Sequence, residues 1–373
     1  MSGIPPSNSP RERLDRVRLI RSQNVGPVSF RQLLLRFGSA GAALEALPGL
    51  ARRGGLRKTL RLCSSDTAAR ETDALANIGG AQIIVGDAEY PPALATIPDA
   101  PPVLSSLGDA ELLQRTGVGV VGARNASTNG RRIAETLGRE LAQGGVAVIS
   151  GMARGIDAAA HAGALEDGTV AVLAGGVDNI YPKENTNLYE AIRERGAIVS
   201  EMPPGTEPQA RHFPTRNRII SGLSLGIVVV EAALRSGSLI TARLAGEQGR
   251  EVFAIPGSPL DPRARGANAL IRNGATLAEN AEDVLEGIRP MLDYRLSEPD
   301  MAGLQDPESG EEGAEHDAAR STILECLGPT PVKIDEILRD TDLPPATVWM
   351  ILLELELAGR LERQPGGQVA LLL

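Results

Sequence analysis

Cysteine is nearly absent. Cys63 and Cys326 are the two in 373 residues, and neither has a second Cys or a His at metal-ligand spacing. A disulfide framework and a zinc site are therefore not expected. Apolar runs of about 18 residues, the length of a membrane span, are missing too. The start, Met1 to Pro10, is polar and lacks the apolar stretch of a secretory signal. The expectation is a cytoplasmic protein with no membrane span, metal or cofactor. Aromatic residues are scarce at 2%, and lysine occurs only at 58, 183 and 333, so either type in a polar loop draws notice. The rest is ordinary globular material, 42% hydrophobic and 23% charged. At ~100–200 residues per domain, two or three domains are expected.

The net charge of -9 argues against a nucleic-acid partner until its distribution is read. Residues 1–75 hold 13 Lys/Arg against 6 Asp/Glu, residues 76–280 hold 18 against 21, and residues 281–373 hold 7 against 20. The blocks carry +7, -3 and -13. The excess at the start is either a non-specific DNA face or simply a basic helical face. Arginine dominates the cations; its planar fork suits phosphate, and a GC-rich coding bias gives the same preference.

Segments 1–78, 79–288, 289–317 and 318–373 separate by pattern. The first shows helical apolar spacing (Leu14, Val17, Leu19, Ile20; Phe30, Leu33, Leu34, Leu35, Phe37) broken at Asn24-Val25-Gly26-Pro27 and Phe37-Gly38-Ser39. It reads as a small helical domain of the helix-hairpin-helix or SAM kind. The second alternates strands with helical stretches. Candidate strands are Gln82–Val85, Val118–Val121, Val146–Ser150, Val170–Leu173, Ala197–Ser200, Gly226–Val230 and Glu251–Ile255. Several are continuously apolar, as in a parallel sheet covered on both faces, so this segment predicts a doubly wound α/β sheet. The third is acidic, contains Pro290, Pro299 and Pro307, and reads as a linker. The last predicts helices at Thr322–Leu327, Lys333–Asp340 and Pro345–Ala358, then a hairpin from Arg360 to Leu372, the pattern of a winged-helix domain.

Gly117-Val-Gly119-Val-Val-Gly122 spells G-x-G-x-x-G, but its first two glycines interleave with the valines inside the strand. The next strand ends in Ser150-Gly151 without the carboxylate that would hold a ribose, so dinucleotide binding is not expected. The turn that follows, Gly122-Ala123-Arg124-Asn125-Ala126-Ser127, suits an anion held by backbone amides and a guanidinium; a surface arginine with a local salt bridge is the alternative for Arg124. Ser150-Gly151-Met152-Ala153-Arg154-Gly155-Ile156-Asp157 allows a backbone cradle or a tight turn capped by Asp157. It lacks the Lys-Ser/Thr of an ATP-hydrolysing P-loop, and His161 beyond it reads as a hydrogen-bonded structural histidine. Lys183 stands in a loop at the carboxyl edge, a phosphate contact or a solvated side chain.

The densest signal is Arg211-His212-Phe213-Pro214-Thr215-Arg216-Asn217-Arg218, three arginines and an aromatic within eight residues. Guanidiniums for phosphates beside a ring for stacking is what single-stranded nucleic acid requires, although Phe213 is equally compatible with a core position. Ser236-Gly237-Ser238 suits a helix N-terminus aimed at an anion. Glu231 before it is open to two roles, general acid/base or a carboxylate that orients neighbours.

Taken in order, these motifs resemble the DNA-processing protein A (DprA/Smf) family. The matching runs are Val121–Arg124, Ser150–Asp157 with Ala160-His161, Phe213–Arg218, Ser236–Ala242, Ala254–Gly257 and Gly266–Ile271, spanning roughly 80–285. The resemblance implies an extended Rossmann-like domain that binds single-stranded DNA, forms a homodimer, and helps load the recombinase RecA in natural transformation or homologous recombination, without catalysing a reaction. It further implies that Arg124, Lys183, Arg216, Asn217 and Arg218 contact phosphates with Phe213 near a base. Gly122, Ser150, Gly151 and Gly155 would form the backbone floor. Ser127, Arg211, Ser236 and Ser238 complete the expected DNA-binding set.

Two further readings follow from the residues. The recognition helix expected near Thr347–Ala358 carries Glu354 and Glu356 and no Lys or Arg before Arg360, a poor fit to a phosphate-lined groove. That domain is expected to contact protein, within a dimer or on a partner. The rival enzyme class, nucleotide phosphoribohydrolases of the lysine-decarboxylase-like group, carries a P-G-G-x-G-T-x-x-E loop. The chain lacks it; Pro256-Gly257-Ser258-Pro259 is no substitute.

Overall fold

A computed structural model describes residues 4–295, 314–364 and 367–372. The chain divides into two units, Met1–Ser7 with Ala69–Glu298 and Asn8–Ala68 with Pro299–Leu373. Among the described residues no helix is long and apolar enough to cross a membrane.

The second unit opens with α1 (Pro10–Arg21), α2 (Pro27–Phe37) and α3 (Ala40–Arg53), and α4 (Ser65–Asn77) leads out of it. Their ends follow local chemistry. Pro10 stands at the first helical position while the Ser9 hydroxyl accepts from the Glu12 amide at 3.1 Å. Gly38, at φ 72°, ends α2 in the left-handed conformation that favours glycine, and Ser39 caps α3. Part of the N-terminal basic excess is internal, since Arg16 is fully buried against Glu12 at 2.9 Å.

The larger unit runs β1 (Ala81–Ile84), α5 (Pro92–Ala95), β2 (Val103–Gly108), β3 (Gly117–Val121), α6 (Thr128–Gln143), β4 (Ala147–Ser150), α7 (Ile156–Ala164) and β5 (Thr169–Val172). It continues through α8 (Thr186–Arg195), β6 (Ala197–Ser200), α9 (His212–Leu223), β7 (Gly226–Val229), α10 (Gly237–Glu247), β8 (Glu251–Ala254), α11 (Arg265–Arg272), β9 (Thr276–Leu277) and α12 (Ala281–Arg295). The nine strands lie in the order β1-β2-β6-β5-β4-β3-β7-β8-β9; the seven from β6 to β9 are parallel, and β2 joins β6 antiparallel. This is the doubly wound sheet that the alternation predicts, in the extended Rossmann-like form that the resemblance implies. The serine-containing strand Val103–Gly108, behind Pro101-Pro102, has no counterpart in that prediction; it is held by pairing with β1 and β6.

The glycines of G-x-G-x-x-G serve packing. Val118 and Val120 join α6, α7 and α12 residues in one core cluster. Gly119, between them, faces α9, where a Cβ would stand 3.5 Å from the Ile220 side chain and would collide with Ile227. A Cβ on Gly117 would lie 2.5 Å from the Leu223 carbonyl. The absent side chains let α9 close onto the sheet, so these two positions are no phosphate loop.

After β6 the chain crosses back over the sheet to β7 on the far side of β3. That reversal makes the carboxyl ends of β3 and β7 the switch point, where open α/β sheets leave a crevice.

The closing segment holds α13 (Ala314–Cys326), β10 (Val332–Lys333), α14 (Ile334–Asp340), α15 (Pro345–Leu357), β11 (Leu361–Gln364) and β12 (Gln368–Leu371). Three helices and the three-stranded β10-β12-β11 sheet form the winged helix around Ile323, Ile337, Ile351, Leu352 and Leu355. Helix α12 runs to Arg295 and α13 starts at Ala314, so both ends of the segment expected as a linker are helical. Its stretch 296–313 lies outside the described residues.

Candidate nucleic-acid interface

A cavity of about 590 Å³ opens at the switch point. The turn after β3 supplies Gly122, Arg124 and Asn125; the turn after β4 supplies Ala153 and Asp157; α9 supplies Phe213, Arg216, Asn217 and Ile220. Arg235, Ser236, Gly237 and Ser238 stand at the start of α10, and Arg263 approaches from the loop after β8.

Helical phase explains the α9 contribution. Residues three, four and seven apart share a face, so Phe213, Arg216, Asn217 and Ile220 line the cleft together. Arg218 is two residues from Arg216, about 200° round the helix, and faces elsewhere. It is 5% exposed, with Nη2 donating to Glu201 at 2.6 Å and Nε 3.2 Å from Asp99. Burial disfavours its charge, but the two carboxylates outweigh burial and hold the guanidinium above its usual pKa.

Arg216 is equally buried but lies at the base of the cleft. It donates to the Val172 carbonyl, while its Nε has no hydrogen-bond partner. Burial lowers its pKa to about 10, which leaves it charged at neutral pH. Gly151 makes its passage possible, because any Cβ there would collide with the guanidinium. Asp157 lies behind, accepting the amides of Gly151 at 3.2 Å and Ala153 at 3.3 Å; burial raises its pKa against the pull of Arg216. Asp157 thus pins the turn before α7 from within the helix, while the N-cap position itself is Gly155 and has no side-chain cap.

Towards solvent the cleft carries an aromatic stack. The Arg124 guanidinium lies 5.2 Å from the Phe213 ring centroid, and the Phe213 ring lies 5.6 Å from that of Tyr181, tilted by 57°. Phe213 is therefore no core residue. On the opposite wall, the Ser236 and Ser238 hydroxyls are 2.7 Å apart at the N-terminus of the eleven-residue α10. Backbone amides there present partial positive charge to an anion.

Several expected residues have other duties. The Ser127 hydroxyl donates to Glu231 at 2.6 Å and accepts from the Gly130 amide at 2.8 Å, making it the cap of α6. The Ser127 amide takes the second Glu231 oxygen at 2.9 Å, so Glu231 orients the β3 turn. Ser150 is fully buried and donates to the Val120 carbonyl. Gly155, at φ 77°, packs against the Ala123 and Arg124 carbonyls, and Gly122 against Ile156. Arg211 and Lys183 are exposed and outside the cavity wall. His161 Nδ1 lies 2.7 Å from Thr169 Oγ1, whose own proton goes to the Val148 carbonyl, so His161 is structural as expected.

Tyr181, Arg235 and Arg263 are additions that motif reading did not single out. Tyr181 carried a usable signal, one of four tyrosines, in the same loop as Lys183. Arg263 has none in sequence; it reaches the cavity wall already chelated by Asp261, at 2.9 Å and 3.0 Å.

Comparison with known proteins identifies the family of the chain. The family model described as DNA recombination-mediator protein A matches residues 81–289, a DprA-like N-terminal HHH domain matches 10–74, and a DprA winged helix domain matches 307–367. Protein Smf of Escherichia coli is 41% identical over 295 residues, 78% of this chain and 77% of that protein. DNA processing protein DprA of Bacillus subtilis is 44% identical over 220 residues, 58% of this chain and 74% of its own. Among solved structures, DprA of Streptococcus pneumoniae matches with a TM-score of 0.61 at 36% identity, covering 73% of this chain and 95% of that one. DNA processing protein A of Helicobacter pylori, whose structure is described for its single-stranded DNA binding mode, matches with a TM-score of 0.52 at 29% identity over 58% of this chain and 96% of its own. With its Rossmann-like unit, its N-terminal helices and its winged helix each matched, the chain belongs to the DNA recombination-mediator protein A (DprA/Smf) family.

Proposed function

We propose that this chain binds single-stranded DNA without catalysis, in the cleft between the Arg124–Phe213–Tyr181 stack and the N-terminus of α10. The stack is the observation that carries the reading. A half-buried Phe213 beside an exposed Tyr181, with a guanidinium over the Phe213 ring, offers stacking that any base can use, at ~1–3 kcal/mol per stacked base. Phosphates then fall to Arg216, Arg235 and the α10 amides, which supply charge and donors without reading sequence. Glu231, the candidate general acid/base, has both oxygens engaged by Ser127, which favours a binding site over a hydrolase.

Fluorescence anisotropy with a labelled single-stranded oligonucleotide tests this, with a duplex in parallel. Phe213→Ala should weaken single-strand binding about 5- to 150-fold, the loss of one stacked base. Arg216→Ala should also flatten the slope of log affinity against log salt by ~0.7. Binding indifferent to both substitutions would move the site elsewhere.

On the same reading, the bound strand is protected and passed to RecA by a homodimer, in transformation or general recombination. Support comes from the recombination-mediator description of the matching family model. The test is RecA ATPase on oligonucleotides already coated with single-strand-binding protein. A rate that this chain leaves unchanged would overturn the handover and leave strand binding standing.

A further inference from the structure

Helix α15 is apolar nearly all round, and a helix of that kind is mostly buried; its exposed residues, Pro345, Ala346 and Trp349, lie in its first turns. Val348, Ile351, Leu352 and Leu355 fill the winged-helix core. Leu353, Glu354 and Leu357 are just as buried, yet they lie outside that core. On that side α15 packs against α3 of the same unit.

The contact is close enough to be backbone on backbone. Gly54, the C-cap of α3, sits where any Cβ would collide with the Glu354 carbonyl and stand 2.9 Å from the Ala358 methyl. The Asn24 side chain donates to the Leu357 carbonyl at 3.0 Å. At the centre the fully buried Glu354 carboxylate accepts from Arg53 of α3 at 2.7 Å and from Arg320 of α13 at 2.6 Å, with His316 Nε2 at 3.0 Å. Burial pushes this carboxyl up, but the three donors outweigh it and hold it below the usual range.

We infer that the winged-helix domain of this chain is a clasp on its own N-terminal helices, with α15 as a protein-docking surface locked through Glu354, and not a reader of duplex DNA. A helix that reads a major groove presents its side chains to base edges and its cations to phosphates. α15 has no Lys or Arg, and Arg363 on the adjoining strand is paired with Glu356 at 2.7 Å and lies over Trp349. Entering a groove along its Glu354 face would strip the buried carboxylate of Arg53, one of its three donors, and a buried charge that loses a partner is expensive. The sequence predicts a protein contact within a dimer or on a partner; the contact seen here is instead with the chain's own N-terminal segment. The inference is independent of the single-strand cleft.

Gly54→Leu separates the clasp from the folding of each part. The backbone there, at φ -66°, suits any residue, so the added Cβ runs into Glu354 of α15 and its C-cap Ala358. Arg53→Ala, at a half-exposed position, removes the ion pair alone. Amide hydrogen exchange on the full-length chain should show residues 40–53 and 345–357 losing protection together, about 10- to 100-fold, the weight of hydrogen bonds to a charged group. Residues 30–34 and 334–340 should keep theirs. A 20-base-pair duplex should leave protection of 345–357 in the wild type unchanged. Protection of α15 that survives both substitutions, or that rises when duplex is added, would overturn the inference.

Discussion

Arg216 and Arg218 stand two residues apart and do opposite things. One lines a cleft with an unpartnered Nε, the other is locked between Glu201 and Asp99. A sequence reading sees two cations in one motif; only their phase on α9 parts them. Arg218→Ala removes a buried cation between two carboxylates and should lower stability by about 3 kcal/mol or more, read from urea midpoints. Arg124→Ala, at an exposed position, should stay within about 0.5 kcal/mol of wild type in the same measurement and show its effect on single-strand binding. Equal destabilisation by both would contradict this division of roles. Phe213, open between core and stacking in the sequence, is decided by the same helical phase, which turns it towards Arg124 and Tyr181.

Elements whose identity rests on local pattern were legible. Continuous apolar runs gave β4, β5, β6 and β7 to within a residue or so at either end, because strands buried on both faces need no alternation. β2 was not legible, since its two central serines and preceding prolines read as loop and only pairing with β1 and β6 makes it a strand. The glycines of β3 show how a motif misleads without context: they sit where α9 presses on the sheet. Gly119→Val should therefore overpack that contact and cost ~1–3 kcal/mol, measured by thermal and urea unfolding. An unchanged midpoint would mean that α9 yields to the new side chain.

Across the whole molecule, burial of one neutral imidazole links stability to pH. His161 is fully buried, and burial, with Arg216 adding to it, lowers its pKa from 6.5 to about 3. Between those values the unfolded chain holds a proton that the folded chain refuses. Stability is therefore lost as pH falls from about 6.5 towards 3, by up to ~1.4 kcal/mol per pH unit. Asp157 works the other way: its raised pKa lets the folded state keep a proton above pH 3.8, so it offsets part of the loss at the acid end. His161→Gln should lose less of its urea stability between pH 7 and 5 than wild type does; parallel losses would remove His161 from the account. Local pattern and composition sufficed for the doubly wound class, for the break between α2 and α3 at Gly38-Ser39, for the family, and for an α15 without Lys or Arg, since each rests on residues near one another in the chain. Tertiary structure decided which members of those motifs face the cleft, that Arg263 joins them, that Tyr181 stands beside Phe213, and that α3 packs on α15. Those outcomes depend on the crossover that returns the chain to β7, on helical phase against the sheet, and on contacts between residues as far apart as Arg53 and Glu354, none of which a local pattern encodes.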